Sequence, residues 1–379
     1  MEAYLDNAAT TRVSGAVMEK MNQVFLTDFG NPSSMHQKGM DAEQYIKEAK
    51  RQIADTLKCE PSEIIFTSGG TESNNMALIG TALANKRAGN HIITTRIEHA
   101  SVYQPLLFLE ELGFKVTFAP VDEDGRVKID ELAEAVTDET ILVSVMYVNN
   151  EIGCVEPIAE IAKRIKEKNP RTAIHIDAVQ SFMKYPLDVK KLKIESLSFS
   201  AHKINGPKGI GGLYLRSGTN IKPVILGGGQ EKGLRAGTEN IHYIKGVAKA
   251  CELLRPNIMA NLRHYAQLRA RLIEGLKQFD NVVINSPENG APYTLNLSFT
   301  GYRSETLLHF LDSKGICVSS GSACSKGSRS HTLTVMKLPA DRIDSSLRVS
   351  FGVQNTESDV DALIEALKEA KEKLQKVKK

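Results

Sequence analysis

The sequence predicts an α/β protein with a mainly parallel seven-stranded sheet and a second, smaller α+β domain. From about residue 14 to residue 255, short apolar runs alternate with segments of helical periodicity, which is typical of a parallel sheet covered by helices. After residue 255 this alternation stops. A length of 379 residues is sufficient for two domains. We therefore expect a large domain at 14–255 and a small one formed by 1–13 and 256–379.

The expected strands of the large domain are continuous apolar runs, as in parallel strands that are buried on both faces. They lie at residues 63–67, 91–95, 115–119, 141–148, 173–177, 196–200 and 211–215. One long helical stretch, 241–279, leads out of this domain. In the small domain, strands are expected at 282–284, 293–299 and 347–351 and helices at 304–313 and 357–376.

Composition excludes several classes of protein. The chain is 41% hydrophobic and 25% charged, and its net charge of +3 is too small to indicate a nucleic-acid partner. It has no apolar run near the ~20 residues of a membrane helix, and residues 1–6 do not resemble a signal peptide. The five cysteines lack CxxC spacing, so we expect neither disulfides nor a metal site, and a cytoplasmic location.

Lys203 and Asp177 each stand at the C-terminal end of an expected buried strand. Desolvation favours the neutral amine of a lysine, which can then form a Schiff base. A nearby carboxylate can keep a pyridinium nitrogen protonated. This combination is what pyridoxal 5′-phosphate requires of a protein. The alternatives are that Lys203 is a surface charge beside the Gly206-Pro207 turn, although its strand is too apolar for a surface edge, and that Asp177 caps a helix.

Further polar residues follow other strands of the same predicted sheet. Gly70 and Thr71 open a helix and could bind an anion such as phosphate, or could form only a turn and an N-cap. His99 could stack on a planar cofactor and move protons, or could be an ordinary polar residue. In open α/β sheets, ligands bind at the carboxyl ends of the strands. Several polar residues at these ends are therefore stronger evidence for a binding site than any one motif. The other strand-end candidates are Asn150, Gln180, Ser200 and His202.

Two candidates come from the predicted small domain. Cys324 lies in the polar segment S-S-G-S-A-C-S-K-G-S-R-S at 319–330, where Lys326 and Arg329 would favour its thiolate. The other cysteines are expected to be structural, apart from Cys154, whose place stays open. Arg348, on an alternating strand, could grip a carboxylate with two nitrogens or could be a surface residue.

These segments together resemble the cysteine desulfurases of the NifS/IscS type, a branch of the class-V aminotransferase-fold enzymes that use pyridoxal phosphate. The resemblance runs from L-D-N-A-A-T-T at 5–11 to the strand at 346–352. It includes G-N-P-S-S at 30–34, N-N-E-I-G at 149–153, D-A-V-Q at 177–180 and S-A-H-K-I-N-G-P-K-G at 200–209. The S-S-G-S-A-C motif resembles the subgroup with a long cysteine loop, although the stretch after it, Arg329-Ser330-His331, is shorter than is common.

The resemblance implies fold type I of the pyridoxal phosphate enzymes and a role for each candidate. Lys203 would carry the cofactor, Asp177 would pair with its ring nitrogen, and His99 would stack on its ring. Cys324 would attack the sulfur of L-cysteine and hold it as a persulfide. Arg348 and Asn150 would hold the substrate carboxylate. The remaining contacts would be those of Gln180 with the phenolic oxygen and of Gly70, Thr71, Ser200 and His202 with the phosphate.

A homodimer is also implied, because Thr238 would reach the phosphate of the neighbouring subunit. The sulfur would pass to an acceptor protein, such as an iron–sulfur scaffold, a tRNA-thiolation enzyme or a carrier for a thio-cofactor. The alternatives are selenocysteine cleavage and another class-V reaction such as transamination. Transamination has no need of a loop thiol, whereas selenium and sulfur substrates differ little in size. Intact Lys203, Asp177, His99 and Cys324 argue against a subunit that has lost catalysis.

Overall fold

A computed structural model describes residues 2–320 and 329–376 of the chain. Its strands are β1 (Ala3–Tyr4), β2 (Ile64–Thr67), β3 (His91–Thr95), β4 (Lys115–Ala119), β5 (Thr140–Met146), β6 (Ala173–Asp177), β7 (Ser196–Ser200), β8 (Gly211–Leu215), β9 (Val282–Ile284), β10 (Thr294–Phe299), β11 (Ile316–Cys317) and β12 (Ser346–Ser350). Its helices are α1 (Gly15–Leu26), α2 (Gln37–Leu57), α3 (Gly70–Asn85), α4 (Ala100–Glu111), α5 (Ile129–Glu134), α6 (Ile158–Lys168), α7 (Val189–Leu192), α8 (Ile241–Leu254), α9 (Ile258–Leu276), α10 (Ser304–Ser313), α11 (His331–Val335), α12 (Ala340–Asp344) and α13 (Glu357–Lys373).

The large sheet has seven strands in the order β2-β8-β7-β6-β5-β3-β4. Strand β8 runs antiparallel to both of its neighbours, and all the other neighbouring pairs are parallel. The predicted α/β class with a mainly parallel seven-stranded sheet is therefore confirmed. Strand β5 ends at Met146, earlier than predicted, because the chain turns back there and Val148 pairs with Val155.

The prediction of one helical stretch over 241–279 is wrong in one respect. The chain forms two helices, because α8 ends at Leu254 and α9 begins at Ile258, with a 3₁₀ turn over Arg255–Asn257 between them. Pro256 lies in this turn. Proline has no backbone N–H, and its ring clashes with the preceding helical turn, so a continuous α-helix is disfavoured there.

The buried apolar side chains form two large clusters. One surrounds the seven-stranded sheet and includes Val17, Ile176 and Phe199. The other lies around the antiparallel sheet β12-β10-β9 and helices α9 and α13. Tyr147 and Leu262 pack against both clusters. The predicted domain boundaries at 13/14 and 255/256 stay a prediction. In the part of the chain described, no helix is long and apolar enough to cross a membrane.

The N-terminal segment ties the second cluster to the large sheet. The side-chain amide of Asn7 donates to the Ser350 carbonyl and to Asn355 Oδ1, both at 3.0 Å. The carbonyls of the next two residues, Ala8 and Ala9, accept from the side chain of Lys203, just beyond β7. Residues 7–9 thus bridge the end of β12 and the carboxyl edge of the large sheet.

Candidate active site

A cavity of about 590 Å³ opens at the carboxyl edge of the large sheet. Its wall is built by the segments that follow β2, β3, β5, β6 and β7, together with Ala8, Ala9, three residues at 329–332 and one residue of β12. The predicted site residues that line it are Gly70, Thr71, His99, Asn150, Asp177, Gln180, Ser200, His202, Lys203 and Arg348. The topology therefore brings together side chains that are far apart in the sequence, and their chemical roles stay predictions.

Lys203 is the last residue of a 3₁₀ turn, Ala201–Lys203, that directly follows β7. Its Nζ donates to the carbonyls of Ala8 and Ala9, the latter at 2.7 Å. These two carbonyls orient the amine at the edge of the cavity. The lysine is thus held at the cavity wall by polar contacts that a bound aldehyde can replace.

Asp177 is the last residue of β6 and is buried. Its Oδ1 accepts from the backbone N–H of Val179, and its Oδ2 accepts from Asn74 Nδ2, both at 2.9 Å. Both carboxylate oxygens are thus fixed by a donor. The geometry therefore supplies an oriented carboxylate at the cavity wall, which suits a protonated heteroaromatic nitrogen.

His99 caps the N-terminus of α4, where its Nδ1 accepts from the Ser101 N–H at 3.1 Å and lies 2.8 Å from Ser101 Oγ. Burial lowers the pKa of His99, Asp177 opposes that shift, and Lys203 adds to it. The ring is therefore neutral near pH 7. Because Nδ1 accepts a hydrogen bond, the ring proton resides on Nε2.

The N-terminus of α3 forms an anion cradle together with Ser200 and His202. The first N–H groups of a helix have no acceptor within it, and the cap residue Gly69 offers no side-chain acceptor. A Cβ at Gly70 would lie 2.6 Å from Val179 Cγ2, so only glycine allows this close approach. Burial, with Lys203 next in effect, lowers the pKa of His202 to about 4, leaving a neutral ring. These groups fit a phosphate.

The side-chain amide of Gln180 also fits a bound cofactor. Gln180 is buried in the cavity wall, and its Nε2 donates to the Ala8 carbonyl at 3.0 Å. Within residues 2–320 and 329–376, its Oε1 is buried without a hydrogen-bond partner. A buried amide oxygen is costly to leave unpaired. The residues present therefore fit pyridoxal phosphate at its phosphate, its ring nitrogen and its aldehyde.

Arg348 on β12 is almost fully buried and reaches the cavity from the second cluster. Its Nη1 donates to the Asn150 carbonyl at 2.9 Å, and its Nη2 donates to Asp6 Oδ1 at 2.8 Å. Its Nε is buried and has no partner among the described residues. The guanidinium is therefore held rigidly before any ligand binds, and the contact with Asn150 is made by the backbone.

Two predicted site residues do not line the cavity. Thr238 is exposed in the segment before α8. Cys324 lies outside the described residues. Arg329 lines the cavity, and Ser319 exchanges two backbone hydrogen bonds with Arg348, which also lines it. Arg329 is paired with Asp344, so its charge is partly neutralised by that carboxylate.

The described cysteines are poor nucleophiles. Cys154 and Cys251 are buried, while Cys59 and Cys317 are partly so. Burial raises the pKa of each of these thiols, that of Cys59 to about 12. Since the thiolate is the nucleophile, these four are unsuited to attack at neutral pH. In the described ranges, no group of histidine, cysteine and acidic residues could hold a metal ion.

Sequence reasoning missed three polar residues at the site. Asn74, on the inner face of α3, contacts Asp177. Glu98 lines the cavity and is buried, which raises the pKa of its carboxyl to about 8. Glu151, also lining the cavity, accepts from Ser330 Oγ and Thr332 Oγ1. The sequence held a signal for two of them, since Glu98 is adjacent to His99 and Asn74 lies one helical turn after Gly70.

The chain is similar to known proteins over nearly its whole length. Residues 3–363 match the family Aminotransferase class-V. A protein named cysteine desulfurase IscS, from Clostridium botulinum, is 46% identical over 372 residues, covering 97% of this chain and 93% of the relative.

Two solved structures are also similar. A NifS-like protein has a TM-score of 0.94 at 39% identity, with 99% of this chain and 100% of that chain covered. A structure titled SspA in complex with cysteine has a TM-score of 0.81 at 36% identity, with 93% and 99% covered.

Proposed function

Because the chain belongs to the class-V aminotransferase family and, within it, to the cysteine desulfurases, we propose roles for its residues in the removal of sulfur from L-cysteine. The enzyme uses pyridoxal phosphate, takes L-cysteine as substrate and passes the sulfur to an acceptor. The observation that carries the proposed roles is the meeting of Lys203, Asp177, His99 and Arg348 in one cavity.

The first test is the reaction itself. Purified protein with pyridoxal phosphate and a thiol reductant is expected to release alanine and sulfide from L-cysteine in equal amounts. Alanine without sulfur release, or no alanine from protein that holds the cofactor, would contradict the proposal. Selenocysteine in the same assay measures the preference between the two substrates.

When bound, pyridoxal phosphate supplies an electron sink for charge that develops at the α-carbon of the substrate. Asp177 favours protonation of its ring nitrogen, because the carboxylate is already oriented by Val179 and Asn74. Lys203 would bind its aldehyde carbon, and His99 would cover its ring. The phosphate would be held by Gly70, Thr71, Ser200 and His202, and the phenolic oxygen by Gln180.

Lys203 and His99 are the proton carriers of the proposed site. Lys203 Nζ would take the α-proton of the bound substrate, and the carbonyls of Ala8 and Ala9 could hold the amine nearby. His99 can donate a proton from Nε2, because its Nδ1 already accepts from Ser101. Such positioned acid–base groups typically contribute ~10²–10⁴-fold to a rate.

Cys324 is the proposed sulfur acceptor within the protein. Its thiolate attacks the substrate Sγ, so that a new S–S bond forms while the Cβ–Sγ bond breaks. The electron pair of the broken bond stays with the carbon fragment, which takes up protons to become L-alanine. Cys324 is left as a persulfide. The four described cysteines support this proposal, because their raised thiol pKa values make each of them a poor nucleophile.

Arg348 is the proposed anchor of the substrate carboxylate. Replacing it with lysine keeps the positive charge and removes the planar fork that holds Asn150 and Asp6. We expect KM for L-cysteine to rise by about 10- to 100-fold, since a hydrogen bond to a charged group contributes about 1.5–3 kcal/mol. Steady-state kinetics on Arg348→Lys measures this.

The matched control is Arg271→Lys, because Arg271 is half exposed and pairs with Asp361 on the protein surface. Its KM should equal that of the unmodified enzyme. An unchanged KM in Arg348→Lys would remove Arg348 from the substrate site.

A homodimer is proposed, and an exposed apolar patch supports it. The patch, on α1, the start of α2 and the segment between them, consists of Met18, Phe25, Leu26, Phe29, Met35 and Met40. Met35 is 99% exposed and Leu26 78%, although apolar side chains of this size are usually buried. Thr238 also requires a second subunit if it is to contact a phosphate, because it lies outside the cavity of its own chain.

Leu26→Glu is expected to shift the protein from dimer to monomer. In a two-fold symmetric dimer, each subunit would place one carboxylate in the apolar interface. We expect the dimer dissociation constant to rise at least about tenfold. Light scattering measures the mass, and the cofactor affinity should fall in parallel if Thr238 serves the partner. Met259→Glu, an equivalent change at an exposed methionine of α9, is the control. A Leu26→Glu protein that stays dimeric would rule out this patch as the interface.

We also propose which protein accepts the sulfur. An iron–sulfur scaffold protein is the first candidate, because relatives named IscS match nearly the whole chain. A tRNA-thiolation enzyme is the second. We propose a cytoplasmic location, since a persulfide carrier with an odd number of cysteines suits a reducing compartment.

A further inference from the structure

Asn74 is a buried residue of α3 whose side-chain amide uses all of its hydrogen-bonding capacity. Its Nδ2 lies 2.9 Å from Asp177 Oδ2 and 2.8 Å from Ser101 Oγ. Its Oδ1 lies 3.0 Å from His175 Nε2 and also contacts Ser198 Oγ. An amide offers two N–H donors and one oxygen with two lone pairs, and each of these has one partner here.

The chemistry of the partners settles the orientation of this amide. Asp177 is a carboxylate, so it accepts, and the Asn74 atom facing it must be the nitrogen. The oxygen then faces His175 and Ser198, which both donate. His175 can donate from Nε2 because its Nδ1 lies 2.9 Å from the Ser196 hydroxyl, a group that can donate to it. Turning the amide over would set its oxygen against the Asp177 carboxylate.

The same orientation determines the hydroxyl proton of Ser101. Ser101 Oγ accepts from Asn74 Nδ2, so its single proton is available to the next neighbour, His99 Nδ1, at 2.8 Å. The Ser101 backbone N–H donates to the same nitrogen at 3.1 Å. His99 Nδ1 thus receives two donors, which excludes a proton on Nδ1 and leaves it on Nε2.

We propose that Asn74 is a positioning residue that sets two groups at once: it orients the carboxylate of Asp177, and through Ser101 it holds His99 as the Nε2-protonated tautomer. The roles of Asp177 and His99 in turnover rest on the proposed function. The hydrogen-bond arrangement itself does not. One buried amide therefore links the group that serves the cofactor ring with the group that moves protons beside it.

The test is the tautomer of His99 in the cofactor-loaded protein. Selective ¹⁵N labelling of histidine and NMR distinguish a protonated from an unprotonated ring nitrogen, and the signals missing from His99→Gln assign the residue. In the unmodified protein, Nδ1 should be unprotonated. In Asn74→Leu and in Ser101→Ala, the ratio of the Nδ1-protonated to the Nε2-protonated form should rise about three- to tenfold, the effect of losing one hydrogen bond.

A second readout separates the two variants. Asn74→Leu should also weaken cofactor binding, because Asp177 loses a donor, whereas Ser101→Ala should weaken it less, because Asp177 keeps both of its donors. Asn75→Leu is the matched control, because the amide of Asn75 lies on the exposed side of the same helix and contacts only the Thr71 carbonyl in the described chain. It should alter neither quantity.

An unchanged tautomer ratio in both variants would overturn the proposal, even if their melting temperatures fell. Should Asn74→Leu fail to fold, the tautomer ratio in Ser101→Ala decides the question alone. Because this readout needs no turnover, the proposal can fail while desulfuration stands, and desulfuration can fail while the tautomer is as proposed.

Discussion

Replacing Lys203 with alanine is expected to abolish desulfuration, lowering kcat by at least about 10³-fold. The change removes the amine that we propose carries the cofactor and takes the α-proton, while the turn Ala201–Lys203 keeps its backbone. The visible absorbance of the lysine-bound cofactor should disappear as well. Alanine release and the absorption spectrum of the purified variant measure the two effects.

Lys208→Ala is the matched control for this change. Lys208 lies five positions along the same loop and is exposed, so its loss should leave both the spectrum and the rate unchanged. A Lys203→Ala protein that still turned over cysteine at a tenth of the normal rate would exclude Lys203 as the cofactor-bearing amine.

Replacing Cys324 with alanine is expected to leave cofactor binding intact and to eliminate persulfide formation and sulfur transfer. Without a thiolate to attack Sγ, the Cβ–Sγ bond has no acceptor for its sulfur in the protein. The four described cysteines cannot substitute, since burial raises the pKa of each. Two measurements check this. After incubation with ³⁵S-cysteine, the variant should carry no ³⁵S, whereas the absorption spectrum of its cofactor should be unchanged.

Cys317→Ala is the control, because Cys317 is the nearest cysteine in the chain and is partly buried in β11. The Cys317→Ala protein should still be labelled by ³⁵S-cysteine. Sulfide production at the normal rate by Cys324→Ala would show that the sulfur leaves by another route. Since that variant keeps Lys203, such a result would leave the cofactor assignment untouched.

The large sheet was predictable because its strands are buried on both faces and therefore read as apolar runs. Strands β3, β4, β6, β7 and β8 lie where they were expected. The two-residue strands β1 and β11 were not predicted. They pair with each other across more than 300 residues, and no local pattern marks so short a strand. Pro256 was visible in the sequence, but the apolar periodicity on both sides outweighed it.

The candidate site was predictable to the extent that each residue ends a strand. Lys203 and Asp177 are of this kind, and the parallel topology brings them together. Asn74 and Glu98 were missed because their importance depends on partners from other elements. Asn74 faces Asp177, which is 103 positions away, and Glu98 accepts from the Met146 N–H. Spacing along the chain cannot reveal such pairs, which exist only after the sheet has formed.

The bridge formed by residues 7–9 also bears on the order of synthesis. Asn7 is held by Ser350, a residue made 343 positions later, and the neighbouring carbonyls of Ala8 and Ala9 orient Lys203. On the ribosome, the seven strands of the large sheet can pair while β12 has yet to be made. Gln180 can already hold the Ala8 carbonyl at that stage, whereas Asn7 lacks its contacts with Ser350 and Asn355 until those residues emerge. The nascent chain can therefore bury the cluster around the large sheet before Arg348 and the contacts of Asn7 complete the site.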